Sequence, residues 1–288
     1  MSPDLHINWR GPLSSCNYDC PYCPFAKRVS SRRELEADEA DLERFVGWCE
    51  RGTRTLSILF TPWGEGLIRA SYQRALVRLS HLPQVRAVAI QTNLSCRLDW
   101  LAQADLDSLG LWTTFHPGEV TLERFLARTA QLDAFGVRYS VGVVGLREHF
   151  EIIGRLRAEL APSTYLWINA YKREPGYYTQ AERDSLTAID PLFPLSATRH
   201  PSLGRDCHTG HSAIFVDGGG EVRRCHFVAA PLGNLYDQPL EQLLRPSPSP
   251  CPERSCGCFI GYTHLTHLDL RPRFGSGFAA RRLAVLES

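Results

Sequence analysis

A chain of 288 residues, 43% hydrophobic and 22% charged, is long enough for one barrel-sized domain or two ordinary ones and can bury a substantial core. No stretch approaches the roughly 18 consecutive apolar residues of a membrane span, and 32 basic against 31 acidic residues give none of the basic excess that a phosphate backbone attracts. Neither a membrane nor a nucleic acid is expected as a partner. The opening segment carries Asp4, His6 and Asn8 instead of a basic start followed by an apolar stretch, so a cytoplasmic protein is expected.

Up to about residue 190, β-branched and aromatic runs alternate with segments of helical period, the rhythm of βα units around a parallel sheet. Strands are expected at 5–9, 55–60, 86–91, 111–115, 137–143 and 165–170. Helices are expected at 36–50, 70–80, 122–134, 147–160 and 179–188, with a weak one near 98–104. Past Pro191 the composition turns to proline, glycine and histidine. Two short strand-like pieces, 213–216 and 221–224, are split by Asp217-Gly218-Gly219-Gly220, a hairpin signal.

Ten cysteines in a chain without an export signal point to metal sooner than to disulfides, because the cytosol keeps thiols reduced. They fall into two groups, with Cys49 and Cys96 apart and expected to be packing residues. The first group, Cys16-x3-Cys20-x2-Cys23, lies in the loop after the first strand. Soft thiolates at such intervals can point at one centre and leave one iron of a cubane cluster without a protein ligand. A structural zinc site with a distant fourth ligand, or unconnected buried thiols, are the alternatives.

This triplet, with the aromatic Tyr22 before its last cysteine, resembles the hallmark of the radical S-adenosylmethionine (radical SAM) superfamily over about residues 5 to 190. The resemblance implies a partial (β/α)6 TIM-type barrel. It implies a [4Fe-4S] cluster on Cys16, Cys20 and Cys23, with S-adenosylmethionine (AdoMet) chelating the fourth iron. One-electron reduction of the sulfonium would then give a 5′-deoxyadenosyl radical that takes hydrogen from a substrate. An external donor such as flavodoxin or ferredoxin would supply the electron.

Thr61-Pro62-Trp63-Gly64-Glu65-Gly66 resembles the family's glycine-glycine-glutamate segment, with Trp63 in place of the first glycine and Gly66 in place of a common proline. Gln91-Thr92-Asn93 resembles the ribose-facing segment, the other reading being a helix N-cap. Tyr22, Gly64, Glu65, Thr92, Asn93 and Ser140 are the expected cofactor contacts.

The second group is Cys207, Cys225, Cys251, Cys256 and Cys258. Cys207 and Cys225 flank the hairpin, and Gly233-Asn234-Leu235 follows. Together these resemble the auxiliary-cluster module called Twitch, a shortened relative of the SPASM domain, and imply one auxiliary [4Fe-4S] cluster. Cys207 and Cys225 are its first ligands, with two more from Cys251, Cys256 and Cys258. A structural zinc site, or thiols merely packed in a small core, are the alternatives.

The expected fold is therefore α/β: a barrel over 1–200, a small cysteine-rich auxiliary-cluster domain over 201–265 and a tail over 266–288. The stretches 10–15 and 258–262 resemble those of one radical SAM subfamily. The substrate is expected to be a peptide or a small polar metabolite, touched by His116, Tyr139, Asn169, Tyr171 and Arg173. A metal-bearing binding protein without radical chemistry is the competing reading.

Overall fold

The computed structural model describes residues 4–25 and 28–284. The ends of the expected barrel and tail segments, residues 1–3 and 285–288, and the pair 26–27 lie outside the described residues.

Six strands run parallel and in chain order: β1 (Leu5–Arg10), β2 (Leu56–Phe60), β3 (Val85–Thr92), β4 (Leu109–Thr114), β5 (Arg138–Val144) and β6 (Leu166–Asn169). Helices α1 (Arg32–Arg51), α2 (Ala70–Ser80), α3 (Leu122–Phe135), α4 (Phe150–Glu159) and α5 (Gln180–Ile189) join or follow them. Every expected strand and long helix of the barrel is present within a few residues of its expected bounds. Local chemistry explains the helix ends. Ser31 and Thr179 each form a capping box, with Glu34 and Glu182 respectively. Gly136, at φ 74°, ends α3 in the left-handed region that favours glycine. The weak helix near 98–104 is a 3-10 turn, Asp99–Gln103.

The two faces of the strands bury different partners. Leu5, Ile7 and Trp9 of β1 and Leu56, Ile58 and Phe60 of β2 pack under Leu42, Phe45 and Val46 of α1 and Leu76 of α2, as alternation along a strand requires. The inner face carries Leu59, Ala89, Trp112 and Trp167, and these pack against Phe259, Ile260, Leu270, Phe274 and Ala280 from the end of the chain. The interior of the partial barrel is thus filled by residues from the end of the expected auxiliary-cluster segment and from the expected tail.

The hairpin is present as β7 (Ala213–Asp217) and β8 (Glu221–Arg223), paired antiparallel and followed by β9 (Pro231–Asn234). It builds no separate sheet. β7 runs parallel to β1, with His6 opposite Ala213, so one nine-stranded sheet has the order β9-β8-β7-β1-β2-β3-β4-β5-β6.

Phe274 is fully buried in the barrel interior. Its replacement by alanine is expected to lower unfolding stability by about 3–5 kcal/mol, the cost of lost burial plus a cavity. Urea unfolding measures this, and a loss below about 1 kcal/mol would show that the terminal segment is a detachable appendage.

Candidate functional site

The loop after β1 and the carboxyl ends of β2, β3 and β4 line a cleft with a cavity volume of about 170 Å³. Its lining includes Cys16, Cys20, Cys23, Trp63, Gly64, Glu65, Thr92, Asn93 and His116. Four stretches far apart in sequence are therefore brought to one place.

The cysteine loop is held by bonds that aim donors at sulfur. The Tyr18 amide donates to Cys16 Sγ at 3.4 Å and the Phe25 amide to Cys23 Sγ at 3.4 Å. Asn93 Nδ2 lies 3.8 Å from Cys16 Sγ and donates to Asn17 Oδ1 at 3.0 Å. Burial pushes the Cys20 thiol up to about 12, so a bare loop holds it protonated and metal binding must release that proton. Arg173 Nη2 donates to the Tyr22 carbonyl at 2.9 Å, which anchors the loop from the end of β6.

Glu65 is fully buried and joins two of the loops. Its Oε1 accepts from the Leu67 amide and from Thr92 Oγ1, both at 2.9 Å, and its Oε2 accepts from the Asn93 amide at 2.6 Å. Three of the roughly four acceptor sites of a carboxylate are filled by the protein, so Glu65 is first a brace between the ends of β2 and β3. Gly64 lets the loop after β2 meet the cysteine loop after β1: a Cβ there would lie 1.8 Å from the Ser15 carbonyl oxygen. Asn93 caps no helix. Leu94 follows it at φ 60°, a left-handed conformation that costs a leucine of order 1 kcal/mol. The strain turns the chain sharply at the mouth of the cleft.

Burial pushes the Glu65 carboxyl up from its ordinary 4.5 to about 7, against the lowering effect of its three donors. Between those values the folded state keeps a proton that the unfolded chain has lost, so stability is expected to fall as pH rises through this window, by on the order of 3 kcal/mol. Asp38, pushed up to about 6 chiefly by burial, adds a change of the same sign at lower pH. Glu65→Gln is expected to flatten the upper part of the slope and leave that of Asp38. Urea unfolding across the window tests this, and an undiminished slope would remove Glu65 from the account.

The other expected contacts are placed unevenly. Tyr22 stacks on His116, with ring centroids 6.0 Å apart and planes 12° apart, and its hydroxyl reaches His116 Nδ1 at 3.0 Å. Burial pushes the imidazole down to about 4, so at neutral pH it carries no charge beside the thiols. Ser140 lies apart from the cleft. It is the third residue of β5, low on the inner face, where its hydroxyl donates to the Ala280 carbonyl at 2.7 Å and accepts from the Trp167 indole at 3.2 Å. Tyr139 points to the helical side and donates to Asp133 at 2.8 Å, away from the mouth.

The sequence reading missed Asn17, Leu94 and the pair Phe25 and Trp63. The latter rings stack 5.8 Å apart and 7° from parallel while 45% and 43% exposed. Large exposed aromatics beside the triplet were the available signal.

The second cysteine group is gathered by two minimal ladders, Asp206–Cys207 with Ser249–Pro250 and His200–Pro201 with Ser255–Cys256. Arg224 ties them to the hairpin, its guanidinium donating to the carbonyls of Thr209, Ser249 and Pro250. Burial pushes the Cys225 thiol up to about 11, and Cys207 and Cys251 add to the effect. The Cys256 thiol is pushed to about 12 by burial, with Cys258, Cys225 and Cys207 adding. Cys256 Sγ lies 2.7 Å from where a Cβ on Gly261 would be, so only glycine leaves it that space. Burial pushes the Cys258 thiol up as well, with the Ile260 amide, Lys172, Arg281 and Arg10 acting against it. Among the described residues no three His, Cys, Asp or Glu side chains converge on a single ion; a polynuclear cluster is instead gripped by separate thiolates on its several irons.

No family model and no curated protein matches this chain. Solved structures do. Native anSMEcpe with bound AdoMet matches with a TM-score of 0.55 at 14% identity, over 83% of this chain and 80% of that one. Native anSMEcpe with bound AdoMet and Cp18Cys peptide matches at 0.54 and 14%, over 84% and 80%. Streptococcus suis SuiB matches at 0.58 and 15%, over 85% of this chain and 66% of that one. The chain is an α/β protein with the fold of these structures, consistent with a partial TIM-type barrel.

Proposed function

We propose that the chain is a radical SAM enzyme acting on a peptide or a small polar metabolite. The observation that carries this reading is the cleft in which Cys16, Cys20 and Cys23 meet Gly64, Glu65, Thr92 and Asn93 at the carboxyl ends of the barrel strands, the end where barrel folds place their chemistry. The donor set fits a [4Fe-4S] cluster: three soft sulfurs, with amide N–H groups directed at two of them. Bound there with AdoMet, such a cluster supplies a 5′-deoxyadenosyl radical. The shared fold with an AdoMet-bound protein agrees with this, and the peptide complexes of that protein support a peptide as the substrate.

Each residue then has a definite task. Cys16, Cys20 and Cys23 hold the cluster, and Asn93 keeps the loop in register through Asn17. Glu65 fixes the separation of the β2 and β3 loops and has an acceptor site left for the cofactor's amino group. Tyr22 and neutral His116 back the triplet. Phe25 and Trp63 form an aromatic wall that excludes water from one side. Cys207, Cys225 and two of Cys251, Cys256 and Cys258 hold an auxiliary [4Fe-4S] cluster that supports oxidation or substrate binding. Flavodoxin or ferredoxin delivers the electron, and residues 201–265 act as the auxiliary-cluster domain of a cytoplasmic enzyme.

The test is anaerobic reconstitution with iron and sulfide, followed by AdoMet and dithionite. About eight irons per chain, two cubanes' worth, and dithionite-dependent 5′-deoxyadenosine are expected. Full metal loading without any 5′-deoxyadenosine would favour a metal-bearing binding protein.

A further inference from the structure

Beside the cleft lies a second cavity of about 360 Å³, lined among others by Arg10, Trp63, Phe215, Asp217, Gly219 and His226. Trp63 belongs to the walls of both. We infer that this cavity binds the amino-carboxylate group of an α-amino acid, with Arg10 taking the carboxylate and Asp217 the ammonium.

Among the described residues, Arg10 has no carboxylate partner. Its Nε donates to the Thr61 carbonyl at 2.7 Å, and its guanidinium carbon lies 5.3 Å from the Trp63 ring centre and 5.6 Å from that of Phe215. Aromatic faces attract a cation but do not satisfy its remaining N–H donors. Burial lowers its pKa to about 10, opposed only by the Cys258 sulfur, and no carboxylate bears on it among the described residues. A buried guanidinium in this state offers its free edge to a carboxylate, which it can grip with two parallel bonds.

The other charged groups of the cavity sort themselves. Arg223 pairs with Glu221 and Asp41 with Arg44. His226 sets its ring against Phe215, 5.6 Å between ring centres. Asp217 accepts the Glu221 amide through Oδ1 at 2.9 Å and forms no ion pair among the described residues. One unpaired cation and one unpaired anion therefore face a single space with aromatic walls, which matches a zwitterion with an apolar body better than a simple anion. The Asp217-Gly218-Gly219-Gly220 turn gains a purpose: a Cβ on Gly219 would meet only Asp217 Oδ1, at 3.5 Å, so the turn leaves room beside the carboxylate.

To call this ligand the substrate rests on the proposed radical chemistry, because Trp63 sets it beside the AdoMet cleft; its binding does not. The test is calorimetric titration of the reconstituted holoprotein with L-phenylalanine, 3-phenylpropanoate, phenethylamine and inorganic phosphate. Saturable binding of phenylalanine is expected, with each truncated analogue and phosphate weaker by about tenfold or more, one lost charged contact. Arg10→Gln should reduce phenylalanine to the affinity of the amine, and Asp217→Asn to that of the acid. Gly219→Leu, which keeps both charged groups, should block all binding.

No saturation by phenylalanine, equal binding of the acid or phosphate, variants that bind like the parent, or one-for-one displacement of phenylalanine by AdoMet would each overturn the inference. Measuring 5′-deoxyadenosine in the same samples separates the two readings. Phenylalanine bound without AdoMet cleavage refutes the radical chemistry and spares the cavity, and cleavage without phenylalanine binding does the reverse.

Discussion

Replacing Cys16, Cys20 and Cys23 together by alanine is expected to abolish 5′-deoxyadenosine formation, a fall of at least about three orders of magnitude in rate, while the protein stays folded. The argument for loss is chemical. A cluster held by three thiolates has no other protein donor of comparable softness in the cleft, where the remaining lining is carboxylate, amide, hydroxyl and one neutral imidazole. The argument for folding is structural. The triplet sits in a loop, and the main core under α1 and α2 draws on none of its three residues. Iron should fall from about eight to about four per chain if the tail cysteines hold their own cubane. Iron analysis and product assay, with circular dichroism as the folding control, check all parts. Reductive AdoMet cleavage surviving in the triple variant would overturn the assignment of this cluster.

Gly64→Ala is expected to damage the site as severely with a single methyl group. The added Cβ would stand 1.8 Å from the Ser15 carbonyl oxygen, and the contact is backbone against backbone, with no side chain free to swing away. The loop after β1 must therefore separate from the loop after β2, breaking the Glu65 amide bond to the Ser15 carbonyl, 3.2 Å long. That bond links the cysteine loop to the carboxylate that braces β3. A loss of about 2–4 kcal/mol in stability is expected, in the range of overpacking plus a broken buried bond, together with a drop of at least about tenfold in AdoMet affinity. Thermal unfolding and equilibrium binding of AdoMet to reconstituted protein give both values. Gly154→Ala on α4, where a Cβ meets nothing within 4 Å, serves as the control and should lower neither.

The sequence by itself determined the six parallel strands with their helices, the hairpin and the two cysteine groups. Each rests on a signal carried within a few residues. Leu5, Ile7 and Trp9 alternate along one strand, Leu42, Phe45, Val46 and Cys49 recur along one helix face, and the Cys16, Cys20 and Cys23 spacing is wholly local.

What only the tertiary structure decided depends on partners distant in the chain. β7 pairs with β1, His6 beside Ala213, and neither strand's residues name the other, because parallel pairing needs only exposed backbone donors and acceptors in register. Phe259, Phe274 and Ala280 follow no period, yet they fill the barrel because the inward faces of β2, β3 and β4 leave a volume that no helix of the outer layer can reach. The same filling gave Ser140 the Ala280 carbonyl as its partner. Glu65 has a similar history: its type was legible, but its three bonds exist only because the fold places Thr92 and Asn93 against it, where a buried carboxylate must be satisfied by the donors it finds.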